Sequence, residues 1–189
     1  MNYDLPKSVS IGDKEYAIRY DFRVILDILE VLHDDELTGV EKADTVLQMF
    51  YLEKPDNVRE ALERCYDFID CSKRKPKKKS PRLIDWESDF ELIIAPVNRV
   101  LGYEARSVVY DYKENTGGLH WWTFVAAYSE IGNDCLLSHI VTIRDKQARK
   151  KKLDKAETEW LKRNRHLVDL PSRYTEADEE LLRRFTGGG

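Results

Sequence analysis

Histidines, cysteines and a short run of carboxylates are the residues in this chain that could carry catalysis or hold a metal. The spacing of each set argues against such chemistry. His33, His120, His139 and His166 never fall three or four positions apart, so no helix face offers two imidazoles to one ion. His120 alone has an aromatic setting, beside Trp121, and without an acidic or nucleophilic partner in sequence it reads as a structural or surface residue. Cys65, Cys71 and Cys135 form no C-x-x-C pair, and their odd number, with no signal-peptide pattern, suits a reducing cytoplasm. Asp85, Glu87, Asp89 and Glu91 alternate along a helical stretch and therefore splay to different sides. Asp85 and Asp89 share a face, and capping with compensation of the helix dipole is the expected role. Gly12 and Gly117-Gly118 lack phosphate-loop spacing, and no nucleophile elbow is present. The expectation is a protein that is not an enzyme, with no cofactor and no metal.

Binding is the remaining class of function, and two sets of residues bear on it. The first is the basic stretch 72–82, in which Lys73, Arg74, Lys75, Lys77, Lys78, Lys79 and Arg82 stand with two prolines and no apolar residue. Contacts from such a run to phosphate would be sequence-blind and salt-sensitive, and no aromatic residue lies between the lysines to stack on bases. A solvated linker is the favoured reading, and nucleic acid is the disfavoured partner. The second set is aromatic: Trp86, Trp121, Trp122 and Phe124. Adjacent tryptophans on a helix point about 100° apart, so one can fill a core while the other lies toward its edge. Either both are core, or one anchors a partner.

The elements that would position these residues follow from periodicity. Val9 and Ile11, then Tyr16, Ile18 and Tyr20, alternate with polar neighbours around Gly12-Asp13, which predicts a β-hairpin over residues 7–20. The rest reads as helix. Asp21 caps a first helix through Leu32, and Thr38 with Glu41 forms a capping box for a second. Asp56 is expected to cap a third, with Val58, Leu62, Cys65 and Ile69 on one face. Asp85 is expected to cap a fourth that carries Trp86 to Leu101, kinked or ended at Pro96. After an irregular stretch closed by Gly117-Gly118, an aromatic helix spans Leu119 to Tyr128. Asp134 then caps a helix with Leu137, Ile140, Val141 and Ile143. From Arg144 the apolar stripe fades while basic residues continue to Lys155, which predicts a helix leaving the core for solvent, and the Arg144 to Arg165 run reads as a solvated helix face or a partner surface.

This organisation is mainly α, a helical domain with a small N-terminal β-hairpin. Residues 1–71 form a hairpin-plus-helices lobe, 72–82 a basic linker, 83–170 the helical second half of the same domain, and 171–189 a charged tail. The chain has 189 residues, 42% hydrophobic, enough for one compact core. Charged residues make up 35%, above the usual value of about 25%, and a surplus of that kind coats exposed helix faces. The formal net charge of −4 provides no global field for nucleic acid or membrane. No stretch approaches the roughly 20 apolar residues of a membrane span.

Taken in order, these pieces resemble a known family. Leu5-Pro6, the hairpin with Val9-x-Ile11 and Tyr16-x-Ile18, and Asp21-Phe22-Arg23 form one block. Glu41-Lys42, Leu47 to Tyr51, Pro55 and the helix from Glu60-Ala61 to Phe68-Ile69 form the next. After the lysine-rich gap come Leu83-Ile84-Asp85-Trp86, Asp89 and Leu92-Ile93, then His120-Trp121-Trp122-x-Phe124 and Ile140 to Arg144. Over roughly residues 5–165 the chain resembles the bacteriophage Gp15 family of long-tailed phages and prophages. The resemblance implies a tail assembly chaperone that binds the tape measure protein, self-associates or meets a related tail assembly protein, and works in the host cytoplasm without staying in the mature virion. A structural tail or connector component, and a nucleic-acid-binding accessory protein using Lys73 to Arg82, are the other readings.

Overall fold

The computed structural model describes residues 4–71 and 81–171. Strands β1 (Ser8–Ile11) and β2 (Lys14–Ala17) pair antiparallel, with Val9 opposite Tyr16, about a two-residue turn at Gly12-Asp13. Gly12 has φ +55°, the positive value that such a tight hairpin turn requires. Ile11, Tyr16, Ile18 and Tyr20 are buried, so the alternation read from the sequence marks the inward face.

Seven helices follow among the described residues. Helix α1 (Phe22–His33) starts at Asp21, and α2 (Gly39–Phe50) starts at the capping box of Thr38 and Glu41. Helix α3 (Val58–Ile69) is capped by Asn57, not Asp56: Asn57 Oδ1 accepts the Glu60 N–H at 3.2 Å. Its buried line is Ala61, Cys65 and Phe68, while Val58 is exposed, because the helix turns its large Phe68 ring inward. Helix α4 (Phe90–Leu101) begins later than expected. Asp85 caps a separate turn through the Ser88 N–H at 2.9 Å. Pro96 does not end α4, which continues to Leu101 and closes on Gly102 at φ +77°.

The stretch expected to be irregular holds a second hairpin, β3 (Tyr110–Asp111) with β4 (Thr116–Gly117). Helix α5 (Trp121–Ser129) carries the aromatic run. Helix α6 (Leu136–Ala148) is capped by Cys135 Sγ, not by Asp134, whose carboxylate pairs with Arg99 at 3.1 Å.

The largest correction concerns the basic C-terminal run. It does not trail into solvent as one helix. The chain reverses after Ala148, and α7 (Lys155–Val168) packs back on α6. Ile140, Ile143 and Val168 form a second apolar cluster, flanked by Leu92, Leu153, Trp160 and Leu161. Arg144 is buried, not solvated. Its guanidinium binds both oxygens of Asp89 at 2.6 and 3.0 Å and donates to the carbonyls of Leu83, Leu167 and Val168. All five guanidinium donors therefore have acceptors, which is what makes a buried cation tolerable.

The main core draws on both sides of the basic stretch, from Ile11 to Leu137. The two sides cross at residues 20–22 and 119–121. The Phe22 N–H donates to Leu119 O at 3.0 Å, and the Trp121 N–H to Tyr20 O at 2.7 Å. Between them sits Asp21, wholly buried. It accepts the Leu119 N–H at 2.8 Å, the Arg23 N–H at 3.1 Å, and two bonds from the Arg23 guanidinium. Gly118, at φ +77°, lies so close that a Cβ there would collide with Asp21 Oδ2. We predict that Gly118→Ala costs about 3 kcal/mol of stability, through strain at positive φ and loss of the carboxylate network. A urea titration of the variant against wild type measures it.

Candidate functional site

The start of α5 is where the candidate aromatic residues are placed. His120 is its N-cap: Nδ1 accepts the Trp122 N–H at 3.1 Å. Nε2 lies 2.9 Å from Pro6 O, and since a carbonyl only accepts, the ring proton sits on Nε2. The imidazole stacks on Tyr20, 5.4 Å between centroids. Burial holds its pKa below the ordinary histidine value, the nearby Lys7 charge adds to this, and the Pro6 bond opposes both. His120 is thus a structural residue tying the N-terminal segment to α5.

The two tryptophans diverge as helical geometry requires. Trp121 is buried, and its ring stacks with Phe124, itself fully buried and stacked 4.7 Å from Phe22. Trp86 meets Trp121 edge-on at 6.1 Å and lies partly buried against this core. Trp122 is partly exposed. Both indoles are anchored by their N–H groups, Trp121 to Ile69 O at 3.0 Å and Trp122 to Phe68 O at 2.9 Å. These carbonyls belong to the last turn of α3, where Phe68 O also accepts the Cys71 N–H at 3.0 Å, so the tryptophans add side-chain caps to α3 from another helix.

The consequence is an open groove between β1, α3 and α5. Phe68 and Trp122, 5.8 Å apart, form its apolar floor with Pro6 and Val9. Arg64 and Asp67, paired at 3.6 Å, form its rim. Its volume is about 490 Å³, within the range of roughly 300–1,000 Å³ seen for ligand sites. A second depression of about 540 Å³ lies by Ile84, Tyr128, Leu137 and Val141. Of the four aromatic candidates, then, Trp121 and Phe124 belong to the core, and only Trp122 lines the first groove.

The basic candidates are placed differently. Lys73, Arg74, Lys75, Lys77, Lys78 and Lys79 lie outside the described residues. Arg82 pairs with Asp85 and donates to Pro171 O at 3.3 Å, which joins the start of the second half to the end of α7. Among the described residues no group of histidine, cysteine and carboxylate is placed to hold a metal, and no helix is long and apolar enough to cross a membrane.

Sequence reasoning missed the Asp89–Arg144 pair and α7. The signal for α7 was present: Asp154 and Glu157 form a second capping box, followed by Trp160, Leu161 and Leu167. The basic residues around it masked that stripe.

The geometry of His120 sets a pH dependence. A histidine with a lowered folded pKa contributes stability that is complete above its ordinary value of 6.5 and is lost as pH falls through the lowered one. Asp27 and Glu30 act in the opposite sense, since burial raises both carboxyls and neighbouring acids add to it. A comparison with His120→Asn isolates the imidazole, because the amide oxygen still caps α5. We expect the wild type to lose more stability than His120→Asn between pH 7.5 and 5, measured by urea unfolding at each pH.

Neither the comparison with curated proteins nor that with solved structures returned a match. A family model described as Bacteriophage Gp15 protein matches residues 1–170. That span contains the hairpin, the groove, the crossing at Asp21 and all of α7, and the chain therefore belongs to the bacteriophage Gp15 protein family.

Proposed function

We propose that this protein is a non-catalytic tail assembly chaperone that binds the tape measure protein while the tail is built. Membership in a phage family over residues 1–170 carries the reading. The groove supports it. Phe68, Trp122, Pro6 and Val9 present an apolar floor with a charged rim, the arrangement that accepts an apolar side chain of a helical partner. The floor is held rigid by the Trp122 indole bond to Phe68 O, so little order is lost on binding. A long apolar helical protein needs repeated weak contacts of this kind before a tube encloses it. Such work takes place in the host cytoplasm, asks for no catalytic group, and ends when the chaperone leaves the particle.

Co-expression of the phage's tape measure protein with this chain tests the reading. The expected result is a soluble complex that co-purifies, and a several-fold loss of recovered complex with Trp122→Ala. An insoluble tape measure protein and no complex overturns it. Stoichiometric presence of this chain in purified virions, measured by mass spectrometry, would assign it instead to the structural parts of the tail.

A further inference from the structure

Helix α7 is bound to the rest of the protein mainly through the α6 face and one turn, with Leu92 of α4 beside that face and the Arg82 bond to Pro171 O beyond its end. The turn is the end of α6. Its backbone pattern is a Schellman motif: the Lys151 N–H donates to Lys146 O at 2.7 Å, and the Lys150 N–H to Gln147 O at 3.0 Å. The residue that must adopt the left-handed conformation in such a motif is commonly glycine. Here it is Lys150, at φ +54°. The tight reversal that brings α7 onto its own chain therefore rests on a backbone conformation that L-residues disfavour.

The face that α7 covers is complementary to it residue by residue. Trp160 stands edge-on to His139 at 4.5 Å, Val168 joins Ile140 and Ile143, and Lys146 pairs with Glu157. Arg144 binds the carbonyls of Leu167 and Val168, which end α7. An α7 that simply swung away would leave Ile140 and Ile143 uncovered and two Arg144 donors without acceptors, so an open arm has no stable form. The segment 149–154 between the helices is largely exposed, and Leu153 is its member of the apolar cluster.

From these observations we infer that this chain forms a dimer by exchanging α7, each copy laying its α7 on the α6 face of a second copy. Every contact of the closed form is regained in the exchanged one, because the receiving face is identical. What changes is the turn: Lys150 leaves the left-handed conformation as segment 149–154 extends between copies. The inference concerns the chain itself and holds whether or not a tape measure protein is the partner.

Two experiments test it on the full-length protein. Lys150→Gly removes the strain of the closed turn, and Lys150→Val, a β-branched residue, raises it. Refolded at high concentration and read by light scattering, the dimer fraction is expected to rise in the order Gly, wild type, Val, by roughly tenfold in equilibrium constant per chain for each step. The second is a mixing test. Ile143→Ala damages the receiving face and Trp160→Ala damages α7. Unfolded together and refolded, the two variants can form an exchanged heterodimer with one undamaged α6–α7 interface. A component melting at the wild-type temperature is then expected, absent when the variants are refolded apart. A mixture that behaves as the sum of its parts overturns the proposal, even if Lys150→Val dimerises, since that dimer would not be built by exchange. Recovery of the wild-type component sustains it even if Lys150→Val fails to fold.

Discussion

Asp21 sits where the two halves of the chain cross, and the arrangement there depends on its carboxylate remaining fully bonded. It caps α1, as its sequence position promised, but it also receives the backbone N–H of Leu119, 98 residues away, and the guanidinium of Arg23. Arg23 in turn reaches the carbonyl of Val108. One side chain thus joins a helix start, a hairpin edge and the approach to α5. A buried carboxylate without these donors would cost several kcal/mol, so the crossing is made whole or hardly at all. Gly118 is part of the same constraint, since only a residue without a side chain lets the backbone come that close.

The features legible in the sequence are those set by short-range patterns. The hairpin, the caps at Asp21 and Thr38, and the helical character of most of the chain follow from alternation, stripes and capping residues. Errors cluster where two neighbours compete for one role. Asp56 and Asn57 both can cap, as can Asp134 and Cys135, and the choice rests on where the tertiary fold needs each side chain. Asp134 is drawn away by Arg99, and Asp89 by Arg144. A buried ion pair between residues 55 apart leaves no local signature, so Arg144 could not be told from the lysines that follow it.

The aromatic candidates show the same limit at the functional level. Adjacent tryptophans left open whether both rings fill the core or one lies toward its edge, and the structure places Trp121 inside and Trp122 at a groove. Nothing in the residue types indicated that both indoles would serve as caps for the end of α3. That dual duty links surface to scaffold, because the ring that lines the groove is held by a bond to the helix that forms the opposite wall.

The crossing at residues 20–22 and 119–121 also has a bearing on synthesis. The β-hairpin and α1 are synthesised well before Leu119 and Trp121 exist, and they then lack the backbone partners that complete them. Asp21 must wait in water with only Arg23 beside it. The nascent lobe keeps an unfinished, partly apolar surface throughout that interval, since long-range pairing forms only after the intervening loop has closed. A chain proposed to shield another protein's apolar helices thus passes through an interval in which its own apolar surface is open, and it ends that interval by self-completion.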